Sequence, residues 1–180
     1  MNVEKEKIEE KIEILIQEFR SNPDKFLTEE DLRSYLYHLL LGNFGGSENG
    51  SKSIPLHTEI RWYGKSGKLR LRSDIVIIDA STLKTENSNS FKLPSKGYWF
   101  NVPKIIVEIK LRRLTSESDK TLLNRIEKDR VKIQTLSNEL GNDFCSFIVI
   151  FDKKNNINPK LEKSSNHTEY YIYLFTEGEN

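Results

Sequence analysis

The 180 residues are 36% hydrophobic and 31% charged, with 28 Lys+Arg against 27 Asp+Glu and a net charge of +1, which describes one globular domain with at most a short appendage. Collagen, wholesale disorder and indiscriminate polycation binding are excluded, and no apolar run approaches the ~20 residues that span a bilayer. A charged stretch from Met1 to Glu13 predicts no secretory signal, and the single Cys145 excludes an intramolecular disulfide or a Cys-based zinc cluster, so a cytoplasmic location is expected.

Residues 3–20 set Val3, Ile8, Ile12, Leu15, Ile16 and Phe19 at helical spacing among Glu and Lys, and Ser21-Asn22-Pro23-Asp24 ends that helix. Residues 1–27 read as a helical appendage to a domain over 28–180. Thr28, with Asp31 three residues on, forms an acidic variant of the capping box. The helix it opens runs through Leu32, Leu36, Leu39 and Leu40 to Gly42, followed by a loop from Gly45 to Ser53. Period two then takes over. Residues 56–63 and 69–79 flank Gly64-Lys65-Ser66-Gly67-Lys68 and predict a hairpin. A polar excursion over 80–98 precedes a third strand at 103–112 and a helix over 118–140 with Gly141 as its cap. The apolar run 144–151 predicts a central strand buried on both faces, and 169–175 a last strand after a polar loop. This order gives an α/β domain, a mixed central sheet flanked by helices.

Alternation puts Asp74 on one face of its strand with Arg70 and Arg72, and Glu108 with Lys110 on one face of the next, about 6.6 Å apart along the strand. Charges embedded in an apolar strand must be paired, exposed or catalytic. Two carboxylates from neighbouring strands can hold Mg²⁺, and a lysine beside the ion can orient a water molecule; a salt-bridged strand end is the alternative. Glu29 lies about 60° from Leu32, on the inward edge of its helix, while Glu30 points away. Glu29 therefore has reach toward the sheet, or else compensates the helix dipole. In the later helix Asp129 falls in the middle of the stripe Leu122, Ile126, Ile133, Leu136 and Leu140 and needs a partner, Lys132 or Arg125. Asp129 and Lys132 are thus supporting residues of the same site, or a purely structural pair.

Three pieces in this order, TEEDLRSYLYHLL on a helix, RSDIVIID on a strand and VEIK on the next strand, resemble the PD-(D/E)XK nuclease superfamily over residues 28–152. The resemblance implies a restriction-endonuclease-like core, with metal binding by Asp74, Glu108 and the Ile109 carbonyl, Glu29 assisting, and a catalytic Lys110. It also implies Mg²⁺ as cofactor with Mn²⁺ able to substitute, and 5′-phosphate and 3′-hydroxyl products. Ser73 stands where the founding motif has proline. DNA is the expected substrate, with RNA left open, and a homodimer or a larger DNA-processing assembly is the expected company. A non-catalytic nucleic-acid-binding or protein-interaction module on the same fold is the other reading, with residues 1–20 as its docking or dimerisation element.

Arg61, Lys65, Lys68, Arg70 and Arg72 fall in a stretch without an acid, and Lys110, Arg112 and Arg113 add a second cluster. Arg61, Lys68, Arg70, Arg72, Arg112 and Arg113 are the expected phosphate contacts, with Trp62, Tyr63, Tyr98 and Trp99 as stacking surfaces. A solvated hairpin accounts for the first cluster equally well. His57 and Glu59 alternate onto one face of the first strand with Arg61, which leaves a peripheral role at the site open to them. His38, His57 and His167 lack metal-ligand spacing, and Cys145 reads as core.

Overall fold

The computed structural model describes residues 2–46, 53–64, 67–80, 102–115, 117–140, 144–154 and 156–174, excepting the side chains of 2, 63, 64 and 67–70. Helix α1 (Asn2–Ser21), a 3-10 turn (Pro23–Lys25) and helix α2 (Glu29–Phe44) precede strands β1 (Leu56–Gly64), β2 (Gly67–Ile78) and β3 (Pro103–Arg112). Helix α3 (Asp119–Leu140) and strands β4 (Cys145–Asp152) and β5 (His167–Tyr173) follow. One sheet runs in the order β1-β2-β3-β4-β5, antiparallel across β1, β2 and β3 and parallel across β3, β4 and β5. The architecture is α/β. A parallel β3–β4 pair requires a crossover, which α3 supplies. Strand β4, apolar almost throughout, has both neighbours and is buried at every residue. Among the described residues no helix is long and apolar enough to cross a membrane.

Strict alternation sends neighbouring residues to opposite faces. Ile75, Ile77, Val107, Ile109, Phe147, Val149 and Phe151 face α1 and α2, meeting Ile8, Ile12, Leu15, Phe19, Leu32, Leu36 and Leu40. The N-terminal helix thus belongs to the same core as the sheet, and Phe19 packs 4.8 Å from Phe151 between ring centres. Val76, Ile78, Ile106, Ile148 and Ile150 face α3, where they meet Leu122, Ile126, Ile133 and Leu136. The same parity delivers Glu108, Lys110 and Arg112 to the α3 side. Asp74, at the end of the β2–β3 ladder, bonds Ile109 N and meets Arg33 of α2.

The N-terminus of α2 is fixed by the capping box. Thr28 Oγ1 accepts from Asp31 N at 3.2 Å, and Asp31 Oδ2 accepts from Thr28 N at 2.8 Å and Leu27 N at 2.9 Å. Those backbone donors hold the Asp31 carboxyl below its ordinary value. Thr28→Ala should cost about 1 kcal/mol in urea unfolding. The Asp31 contribution is full above the ordinary value of 3.8 and is lost as pH falls through the lowered folded value, so Asp31→Asn should matter less in acid. At the other end, α2 continues past Gly42 to Phe44. Buried Phe44 anchors the last turn, a glycine inside a helix costs only about 1 kcal/mol, and Gly45 N caps Leu41 O at 2.8 Å. Strand β5 likewise begins two residues early, where Ser146 N bonds Asn166 O at 2.8 Å and Ser146 pairs with His167. Residues 81–100, with Tyr98 and Trp99, most of the 45–53 loop and the Gly141 cap lie outside the described residues.

Candidate metal centre

The β2–β3 ladder runs through the Ile75–Val107 pair, and one further step of that register sets Asp74 against Glu108. There side chains replace the ladder. Ile109 N donates to Asp74 Oδ2 at 2.8 Å, and Leu111 N, two residues on and so on the same margin of β3, donates to Glu29 Oε1 at 3.0 Å. The carboxylates of β2 and α2 thus satisfy backbone donors that a continued β2–β3 ladder would have taken. Between them the Ile109 carbonyl accepts from Lys110 Nζ at 2.9 Å.

Behind this margin lies a chain of alternating charges. Lys110 Nζ is 2.7 Å from Asp129 Oδ2, and Lys132 Nζ is 3.0 Å from Asp129 Oδ1 and 2.5 Å from Glu108 Oε2. Lys132 also donates to the Arg72 carbonyl at 3.1 Å. Asp129 is therefore partnered by Lys132, as helical spacing suggested, and also by Lys110 across the interface; Arg125 turns away to Glu29 and Glu117. Glu108 is fully buried, and neither of its oxygens has a hydrogen bond of good geometry among the described residues, the Lys132 contact being an unaligned ion pair. Burial pushes its carboxyl up to about 8; Lys132 opposes this, while Asp74 and Asp129 add to it. For Lys110 burial acts to lower the ammonium pKa, yet Asp129, Asp74 and Glu108 together hold it above its ordinary value.

A buried, unsatisfied carboxylate is what a divalent cation would serve, and the donor set fits one. Asp74, Glu108 and the Ile109 carbonyl are hard oxygens, suited to Mg²⁺ with water completing its shell. Glu29 reaches the sheet, as its edge position predicted, while Glu30 is exposed and pairs with Arg33. The polar contacts of Glu29 are with Leu111 N and Arg125, beside a pocket of about 340 Å³ lined also by Thr28, Glu30 and Arg113.

Arg33 and Glu59 enter the site from outside the sequence motifs. Arg33 Nη1 lies 3.3 Å from Asp74 Oδ1 and also pairs with Glu59, which in turn pairs with Arg72. Arg33 stands one helical turn after Glu29, a spacing that shares its face; alternation left Glu59 a peripheral role, and its pairing with Arg33 and Arg72 is set by the fold.

Two surface assignments are corrected. Arg112, expected at a phosphate, is fully buried: it faces Asp152 in the parallel register, donates to Asp152 Oδ1 at 2.7 Å and Asp119 Oδ1 at 2.5 Å, and reaches Asn156 Oδ1 at 2.5 Å. Trp62 is not a stacking surface but core, its Nε1 donating at 2.9 Å to Ser73 Oγ. Of the remaining expected contacts, Arg72 and Arg113 are exposed and Arg61 is half-buried, while the side chains of Lys68 and Arg70 lie outside the described residues.

A second group of possible ligands, Glu162, His167 and Glu169, brings its donor atoms within 4.8 Å of one another. It is already satisfied. Burial would raise the Glu169 carboxyl, but Arg130 at 2.7 and 2.8 Å and Glu162 N at 2.9 Å hold it down at about 2. His167 Nδ1 lies 2.8 Å from Ser146 Oγ, which ties β4 to β5. Compared with protein-family models, curated proteins and solved structures, the chain matches none.

Proposed function

We propose that this chain is a Mg²⁺-dependent nuclease acting on DNA, on a restriction-endonuclease-like core. Asp74, Glu108 and the Ile109 carbonyl would hold the ion, with Mn²⁺ able to substitute, and Glu29 assists. The observation that carries the reading is buried Glu108, unsatisfied by any aligned donor among the described residues, with Asp74, Lys110 and the Ile109 carbonyl close by. Bound there, the ion supplies Lewis-acid stabilisation of charge on a scissile phosphate. Lys110 remains a cation in this setting, so it orients an attacking water and favours its hydroxide form instead of taking the proton itself. Asp129 fixes the Lys110 ammonium from α3 and is a positioning residue. Exposed Arg72 and Arg113 would meet the phosphate backbone.

One observation favours the binding-module reading instead. Lys132 and Arg33 already sit against Glu108 and Asp74, so the charge network closes without an ion. Calorimetric titration with Mn²⁺ decides between the two, paired with cleavage assays on duplex, branched and single-stranded DNA and on RNA. The nuclease reading expects binding that Asp74→Asn weakens by more than the about 10–100-fold typical of losing an outer-sphere partner. Neither heat nor cleavage on any substrate would leave the binding module standing.

A further inference from the structure

Glu59 is the one non-glycine residue with a left-handed backbone among the described residues, φ 59°. It stands inside β1, between Thr58, which pairs with Ile75, and Ile60, which pairs with Ser73, and hence beside Asp74 on β2. A left-handed conformation is costly for a residue that carries a side chain, and such outliers persist only where the surroundings impose them. The surroundings here are two arginines, Arg33 and Arg72, both ion-paired to the Glu59 carboxylate.

Arg33 is the informative partner. Its side chain is only 14% exposed, and its guanidinium serves three carboxylates, those of Glu30, Glu59 and Asp74. One nitrogen, Nη1, is shared between Glu59 and Asp74, and at 3.3 Å its contact with Asp74 is long for a charge-assisted pair. Asp74 Oδ2 is fixed by Ile109 N, so Oδ1 is the oxygen this loose contact leaves approachable. Without Glu59 the same guanidinium would have one fewer competitor and would close on Asp74 as a charge-assisted pair.

We propose that Glu59 is a positioning residue of the metal centre: it draws Arg33 off Asp74 and so keeps Asp74 Oδ1 open to a divalent cation. This deepens the nuclease reading and rests on Asp74 being a metal ligand. The strained backbone is then the conformation that brings the competing carboxylate to Arg33. Removing either partner must act on cation affinity with opposite sign. Loss of the Glu59 charge leaves the ion to displace a tighter arginine, whereas loss of the Arg33 charge leaves Asp74 without its protein counter-ion.

The test is Mn²⁺ titration, without nucleic acid, of wild type, Glu59→Gln, Arg33→Gln, the double variant and Asp74→Asn. Glu59→Gln should bind about tenfold more weakly and Arg33→Gln more tightly, within the range of couplings inside one charge network. In the Arg33→Gln background, Glu59→Gln should change little, because its route is gone. An equal loss in both backgrounds would mean that Glu59 acts only through its own field, and the proposal fails. Glu59→Gly guards against a folding artefact: freed of strain, it should melt no lower than Glu59→Gln yet still bind weakly. Lowered melting with unchanged affinity in both Glu59 variants would make Glu59 purely structural and overturn the proposal alone. No Mn²⁺ binding by wild type, or binding indifferent to Asp74→Asn, would overturn the metal reading itself, and this proposal with it.

Discussion

Glu108→Gln is expected to abolish metal-dependent cleavage and, in the same protein, to flatten the dependence of stability on pH. The folded state holds the Glu108 carboxyl up at about 8, against an ordinary value of 4.5, so between those values the folded chain binds more protons at this group than the unfolded chain. Its stabilising contribution is therefore full below about 4.5, declines as pH rises, and is gone above about 8. Glutamine keeps the size and does not titrate. With chelator present, urea unfolding at pH 5, 7 and 9 should show the wild type losing ground to the variant at each step, and a constant difference would refute the buried-carboxylate account. Lys132 keeps Asp129 and the Arg72 carbonyl as partners, so the variant should fold. Lys110→Ala should fail differently. Both candidate metal carboxylates remain, so Mn²⁺ should still bind, while cleavage drops by the about 10²–10⁴-fold that proton-handling groups contribute. Added metal should rescue Glu108→Gln in part and Lys110→Ala not at all. Cleavage that survives Lys110→Ala would reject the role of the lysine and leave the nuclease class untouched.

What the sequence made legible was local geometry. Alternation along VEIK follows from the pleat, so the common face of Glu108 and Lys110 needed no knowledge of the fold, whereas Asp74 joins them only through the β2–β3 register. Strands β2 and β3 are neighbours, as the reading of Asp74 and Glu108 as carboxylates from neighbouring strands required. Asp129 announced itself as a carboxylate inside a leucine and isoleucine stripe, and Lys132 was within helical reach. Its second partner, Lys110, depended on how α3 lies across β3. Arg112 was misread for a related reason. From sequence it is one more cation after Lys110, and only the parallel register of β3 with β4, 40 residues on, sets it against Asp152. Glu59 was legible only as a peripheral position beside Arg61. A glutamate in a period-two strand carries no sign of a left-handed backbone, and its partners come from α2 and β2.

The largest loss of stability from one substitution should come at Arg112. Its guanidinium is fully buried with the equally buried Asp152, and Asp119 and Asn156 complete its donors. Burial would raise the Asp152 carboxyl, yet Arg112, the Tyr171 hydroxyl and Lys154 N hold it below its ordinary value, so it stays charged. Arg112→Ala removes the cation and leaves that charge in the interior, a change that typically costs about 3–5 kcal/mol. Whole domains have roughly 5–15 kcal/mol in hand, so the variant should unfold at much lower urea. Arg112→Lys should recover little, because one ammonium cannot reproduce a planar fork that engages three residues. Adding Asp152→Asn to Arg112→Ala should recover part of the loss by removing the stranded charge, which separates a buried pair from simple side-chain packing. If Arg112 instead touched phosphate, Arg112→Ala would fold as wild type and flatten the salt dependence of DNA binding by about 0.9 in the log–log slope. The buried network leads us to expect the reverse, a destabilised protein whose residual folded fraction binds with an unchanged slope.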